Sequence, residues 1–214
     1  MEGDYITKEQ YDKLLSLEKN IMFKLIYRLM GEVGLRVGEI VGTTIENPDK
    51  KERKKQRWIR SLPGMVYDDI DRVSVKELGL PCNHTIHVHR KRHKENDLPL
   101  PDNLYHAIIA YCEEYKFQPM EPKDLIFSTS RVTVHVRLAK LGKEMGIKRL
   151  HAHALRRFFG RYEYLVKKTP LQHIQAVYDH EKAAMTLHYL RLPQIEGLRG
   201  WAMTINNNKY NQKR

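Results

Sequence analysis

From Ile21 to Met30 the apolar residues return every three or four positions, at Ile21, Met22, Leu25, Ile26, Leu29 and Met30, until Gly31 and Gly34 interrupt the pattern. That period places them on one buried face of a helix and commits the chain to a helical core. Just upstream, Thr7-Lys8-Glu9-Gln10 has the form of a capping box, and Tyr11, Leu14, Leu15 and Leu17 follow at mostly helical spacing. A helix is therefore predicted to start near residue 8, and a further short one around Val37.

The period changes farther along. Val73 and Val75, then Ile86 and Val88, alternate with polar residues, Lys91 to Asp97 is polar and turn-prone, and Leu98-Pro-Leu-Pro follows. Alternation of this kind predicts short strands of a small antiparallel sheet. Leu104, Ile108, Ile109 and Tyr111 then suggest a helix, Leu138, Leu141 and Met145 another that ends at Gly146, and the remainder to Tyr189 is also helix-like. The predicted class is α+β, mainly helical, with a small antiparallel sheet and no internal repeat.

At 214 residues the chain is long enough for one large domain with a proper core. Its 38 Lys+Arg against 26 Asp+Glu give a formal charge of +12, a balance that favours a polyanion as partner, nucleic acid first. Seven of the eleven residues from Lys50 to Arg60 are Lys or Arg, in a segment from about 47 to 64 bracketed by Pro48, Pro63 and Gly64. This reads as an exposed basic insertion, either a solvated loop or a contact to a DNA backbone, and Trp58 and Ile59 favour order. Cys82 and Cys112 form no CxxC pair, so no disulfide framework or cysteine-based zinc site is expected. The stretch Met1 to Lys8 lacks the apolar core of a signal peptide, and no apolar run approaches a membrane span. The expectation is a soluble intracellular protein with no membrane partner.

Four short patches place phosphate-binding or proton-transferring side chains beside helical packing residues. Gly34-Leu35-Arg36-Val37-Gly38-Glu39-Ile40 sets Glu39 one turn after Arg36, where it can orient the planar guanidinium fork. His151-Ala-His153-Ala-Leu155-Arg156-Arg157-Phe158-Phe159 offers two histidines, of which His153 has the three-residue spacing to Arg156. Leu171-Gln-His-Ile174-Gln175-Ala-Val177-Tyr178-Asp179-His180 is followed, nine residues after His180, by Tyr189. Finally, Ile86-His-Val88-His-Arg90-Lys91-Arg-His93-Lys94-Glu-Asn-Asp-Leu98-Pro99 reads as a hairpin with lysines near its tip.

Any one of these would recur by chance, but their order across residues 36 to 189 resembles the catalytic domain of the tyrosine recombinases, the integrases of phage and archaeal type. Arg36 and Glu39 match that family's first arginine motif, His153 and Arg156 its His-x-x-Arg box, and His180 and Tyr189 its second histidine and nucleophile. Lys91 stands eight residues before Pro99, as the family's hairpin lysine does, although Arg90 and Arg92 replace the flanking glycines, which leaves Lys94 as an alternative. Asp179 occupies the place of the family's glycine before the histidine. Tyr178 competes with Tyr189 as nucleophile, but the corresponding place in the family belongs to a packing residue.

The resemblance implies a catalytic domain over residues 1–190 with a tail at 191–214. The family's N-terminal DNA-clamping domain has no counterpart in these residues, so it implies either a catalytic fragment or a protein that works without its own clamp. It also implies a double-stranded DNA partner, assembly into a tetrameric synapse on DNA, and action in the cytoplasm, at the nucleoid, or in the host cell of a mobile element. Tyr189 is expected to attack a scissile phosphate, Arg36, Arg156 and His180 to hold its oxygens, His153 to take the phenol proton and Lys91 to protonate the leaving oxygen. No cofactor and no metal are expected. His84, His87, His89 and His93 lie close together, and a strand puts His87 and His89 on one face, yet the sequence displays no acidic or cysteine set that completes a zinc site. A type IB topoisomerase shares the same residues, and a non-catalytic DNA-binding module remains the other rival. Leu192, Ile195, Leu198 and Trp201 recur at helical spacing, so the tail packs either on a neighbouring subunit or on its own domain.

Overall fold

The computed structural model describes residues 5–43, 62–90, 94–115 and 121–192. Lys91, the basic run 50–60 with Trp58 and Ile59, and Ile195, Leu198 and Trp201 lie outside the described residues. Three helices open the chain: α1 (Lys8–Leu17), α2 (Ile21–Glu32) and α3 (Val37–Val41). A 3-10 turn at Tyr67–Asp69 and a short α4 (Val75–Leu78) precede the strands β1 (His84–His89) and β2 (Glu95–Leu100). Then come α5 (Asp102–Tyr115), α6 (Arg131–Glu144), α7 (Ala152–Leu165), α8 (Leu171–Tyr178) and α9 (Ala183–Leu190). The fold is α+β and mainly helical with one two-stranded antiparallel sheet among the described residues, as the alternating periods imply.

The predicted capping box is formed: the Thr7 hydroxyl accepts from the Gln10 N–H at 3.2 Å, and the Gln10 side chain accepts from the Thr7 N–H at 3.0 Å. Leu25, Ile26, Leu29 and Met30 of α2 are buried against α7 and α5, and Tyr11 of α1 stacks on Phe158 of α7 with ring centroids 4.5 Å apart. Glu18, buried beside the core, accepts two hydrogen bonds of 2.7 Å from Arg137, which fastens α6 to the α1–α2 corner.

One expectation is corrected. Val73 and Val75 do not form a strand; Val75 begins α4, because Ser74 and Glu77 cap one another across the first turn and Gly79, at φ +62°, ends it in the left-handed conformation. Local capping outweighs a two-residue alternation. The strands over Ile86–Val88 and Leu98–Leu100 are present, with Ile86 opposite Leu98, His87 opposite Asp97 and His89 opposite Glu95. Ile86, Val88, Leu98 and Leu100 face the core, so the odd-numbered His87, His89, Glu95 and Asp97 share the other face.

A second, smaller apolar cluster of Phe159, Ile174, Tyr178 and Leu190 attaches α8 and α9 to α7. Tyr178 locks this junction: its hydroxyl accepts from the Gly160 N–H at 3.0 Å and donates to the Arg156 carbonyl. A Cβ at position 160 would run into that hydroxyl and into Leu190, so glycine lets the two helices close. Leu192, the first tail residue of the predicted apolar series, packs on this cluster of its own chain. Among the described residues no helix is long and apolar enough to cross a membrane.

Candidate active site

Three guanidinium groups converge where α3, α7 and α8 meet. Arg36 stands just before α3, Arg156 within α7, and Arg90 immediately after β1. Gly34 shapes the approach: at φ +77° it takes a conformation that suits glycine, and a Cβ there would lie 2.5 Å from the Phe159 ring. Its carbonyl accepts from Arg156 Nη1. Nη2 of Arg36 and Nη2 of Arg156 both donate to the Tyr178 carbonyl at 3.2 Å, and Nη2 of Arg90 donates to the Val177 carbonyl at 2.7 Å. These carbonyls close the last turn of α8, the partially negative end of that helix.

Glu39 is the counter-charge. Its buried carboxylate accepts from the Arg36 N–H at 2.8 Å and from Arg36 Nη1 at 2.6 Å, while Arg156 Nη1 and Arg90 Nε each approach to 3.7 Å. One carboxylate faces three cations, so the cluster carries surplus positive charge. Burial and the neighbouring Arg36 push the Arg156 pKa down to about 10, which leaves it protonated at neutral pH. Burial also lowers Arg90 below the usual guanidinium value. Arg156 and Arg90 are almost wholly enclosed, whereas the Arg36 side chain keeps 35% of its surface exposed. A cleft of about 190 Å³ opens beside it, lined by Arg36, Arg131, His153 and Arg156 among others.

Next to this cation cluster, His153 Nδ1 lies 3.2 Å from the Tyr189 hydroxyl. Loss of hydration and the charges of His151, Arg156, Arg157 and Arg36 push the His153 pKa down to about 4, so its ring is neutral and able to accept a proton, although solvent still reaches it. His151 is occupied elsewhere: it caps α7, Nδ1 accepting from the Ala154 N–H at 3.2 Å. His180 is also pushed down to about 4 by burial and by Arg156 and Arg36, and its Nδ1 sits 3.0 Å from the buried Thr186 hydroxyl. Burial raises the pKa of Tyr189, while Arg156, Arg157 and Arg36 pull it the other way. The Arg157 guanidinium lies 5.4 Å from the Tyr189 ring centroid.

The structure thus brings Arg36, Arg156, His153, His180 and Tyr189 into one neighbourhood, with Lys91 outside the described residues. The alternative lysine, Lys94, is paired through Nζ with Asp179 Oδ1 at 3.1 Å. Asp179 adopts φ 53°, ψ 43°, the left-handed helix cap that glycine fills most easily, and its carboxylate is engaged by Lys94. Tyr178 is fully buried and both hydrogen-bonding directions of its hydroxyl are used. Sequence reading did not find Arg90 or Thr186. Arg90 could have been suspected from its place beside a hairpin lysine where the resemblance calls for glycine; Thr186 carries no comparable signal.

The profile of the phage integrase family matches residues 64–194. No curated protein matches the chain. Among solved structures, XerA recombinase superposes with a TM-score of 0.63 at 19% identity, over 94% of this chain and 62% of that one. XerH site-specific recombinase, in a post-cleavage complex with palindromic difH substrate, gives 0.60 at 16% identity over 93% and 52%. The Tn1549 transposon integrase in complex with transposon right end DNA gives 0.59 at 16% identity over 94% and 66%. At these identities the likeness is one of fold, and the chain spans between half and two thirds of the length of those proteins.

Proposed function

The chain belongs to the phage integrase family, and from that premise we propose that it is a site-specific DNA recombinase, cutting and rejoining double-stranded DNA through a 3′-phosphotyrosyl intermediate in integration or excision. The observation that carries the reading is the Tyr189 hydroxyl resting 3.2 Å from the neutral His153 beside a cluster of three arginines. An unperturbed phenol, with a pKa of about 10, is mostly protonated at neutral pH and needs a base, which His153 supplies. The Tyr189 oxygen forms a bond to phosphorus as the bond from phosphorus to the 5′ oxygen breaks. The phenol proton passes to His153, and the leaving oxygen takes a proton from Lys91, or from Lys94 in the alternative register. Arg36, Arg156 and His180 hold the non-bridging oxygens while negative charge accumulates on them, a task suited to donors already fixed in place. Arg36 is the most exposed of the three guanidiniums, held from behind by Glu39 and the Tyr178 carbonyl at the end of α8, while the Gly34 carbonyl holds Arg156.

The phosphoester retained on Tyr189 keeps the energy of the broken bond, so religation to a second 5′ hydroxyl needs no nucleotide cofactor. Exchange between two duplexes calls for two sites at once, and the proposal includes assembly into a tetrameric synapse on DNA in the host cell of a mobile element or at the nucleoid. Incubation with candidate attachment-site DNA should give an adduct that survives denaturation, and Tyr189→Phe should bind the same DNA with no adduct. An adduct formed equally by Tyr189→Phe would overturn the assignment. Paired target sites should yield recombinant joints; supercoil relaxation without joints would point to topoisomerase activity.

A further inference from the structure

The face of the hairpin turned away from the core carries a second constellation that the proposed reaction does not use. His87 and His89 point from β1 to the same side, and the strand register sets Asp97 and Glu95 directly opposite them on β2. His87 Nε2 lies 3.4 Å from one Glu95 carboxylate oxygen, and His89 Nδ1 lies 3.2 Å from the other. One ligand atom from each of His87, His89 and Glu95 falls within 4.8 Å of the other two. Ligands about 2.0–2.2 Å from a tetrahedral zinc ion stand roughly 3.3–3.6 Å from each other, and the two histidine–carboxylate separations, one to each Glu95 oxygen, lie close to that range.

Two further observations point to an ion rather than to plain ion pairs. His87 is 6% exposed, and its Nε2, aimed at this cluster, has no hydrogen-bond partner. The opposite edge of each ring is backed by a carboxylate: Asp97 Oδ1 is 2.9 Å from His87 Nδ1, and buried Asp69 Oδ1 is 3.6 Å from His89 Nε2. A carboxylate behind each ligating imidazole fixes its tautomer and directs the other nitrogen's lone pair at the metal. Glu95, Asp97 and Asp69, offset by Arg72 at 4.0 Å from Asp69, leave a net negative surrounding for a dication when both rings are neutral.

We propose that His87, His89 and Glu95 form a binding site for a borderline divalent transition metal of the zinc type, clipping β1 to β2 beside Lys94. Two imidazoles and one carboxylate suit zinc and cobalt and do not suit magnesium or calcium, which prefer oxygen ligands. The fourth position is left for water, on the side where Glu95 is exposed. Reading the sequence alone misses this site because Glu95 and Asp69 join the histidines only through strand register and the 3-10 turn.

The test uses the full chain stripped with a chelator and titrated with Zn²⁺ against a chromophoric competitor. One equivalent should bind, Mg²⁺ should not displace it, and Co²⁺ should give the visible spectrum of a low-coordinate nitrogen–oxygen site. His89→Gln and Glu95→Gln should each weaken binding by more than about 100-fold, and Asp97→Asn, which disturbs only the support behind His87, by about 10–100-fold. Should a variant fail to fold, the wild-type chain still decides: Zn²⁺ should shield His89 from carbethoxylation, mapped by peptide mass spectrometry. Absence of saturable one-equivalent binding, unchanged affinity in folded His89→Gln and Glu95→Gln, or unshielded His89 at saturating Zn²⁺ would each overturn the site.

Discussion

Replacing Glu39 with glutamine removes one negative charge and almost no volume from the centre of the arginine cluster. Arg90 Nε and Arg156 Nη1 each lie 3.7 Å from that carboxylate, on side chains no more than 2% exposed. At an effective dielectric near 20, a unit charge pair at that distance attracts by about 4–5 kcal/mol, most of which offsets the dehydration of the ions. What survives is the cost of leaving enclosed cations without their anion, about 3–5 kcal/mol when one partner of a buried pair is deleted. Glutamine keeps an acceptor for Arg36, so the lower end applies. Urea denaturation followed by circular dichroism should show Glu39→Gln less stable by about 3 kcal/mol, with an unchanged denaturant slope because the fold and its buried area are the same. A loss below about 1 kcal/mol would refute the reasoning, because the carbonyls of Gly34, Val177 and Tyr178 would then suffice to balance the cluster.

Tyr178→Phe removes the hydroxyl that bridges the Gly160 N–H and the Arg156 carbonyl, two groups that face each other one turn apart within α7 and stay paired there, so it should cost only about 0.5–1.5 kcal/mol for the lost link between α8 and α7; equal melting behaviour would contradict its locking role. His153 and His180, both pushed down to about 4 in the folded chain, take up protons less readily there than in the unfolded chain, where the ordinary value is about 6.5. Their contribution to stability is therefore present above pH 6.5 and lost as pH falls toward 4, and His153→Gln/His180→Gln should flatten the stability profile across that window; an unaltered slope would contradict the lowered values. Lys91→Ala should slow cleavage by about two to four orders of magnitude and be rescued by sulfur at the bridging 5′ position, since a thiolate leaves without a proton. Rescue of Lys94→Ala instead, with Lys91→Ala cutting normal DNA at full rate, would assign the acid to Lys94.

Local signals and through-space signals were unequally legible in the sequence. Thr7 with Gln10, and the Ile21–Met30 period, announce α1 and α2 because capping and amphipathicity act over one or two turns. The same kind of signal, Ser74 with Glu77, turns Val75 into a helix where alternation suggested a strand. In the candidate site, Arg36, His153, Arg156, His180 and Tyr189 are legible through the family resemblance that their order along the chain carries, while their partners are hidden. The Tyr178 and Gly34 carbonyls that position the guanidiniums are backbone atoms and leave no trace in composition. Arg90 is 87 residues from Val177, and Glu95 meets His89 only through hairpin register, so neither contact can be read from neighbours in the chain. Asp179 marks the opposite case, a departure from the expected glycine whose meaning emerged only when its left-handed backbone and its pairing with Lys94 were seen together.

The central claim rests on which oxygen bonds to phosphorus. Trapping the protein on attachment-site DNA nicked near the cleavage point, so that the released fragment diffuses away, and digesting the complex for mass spectrometry locates the covalent link directly. The account predicts one phosphotyrosyl peptide, carrying the 3′ end of the cut strand on Tyr189. A link at Tyr178 or at any other tyrosine, attachment through the 5′ end, or cleaved DNA with no attached peptide would contradict it.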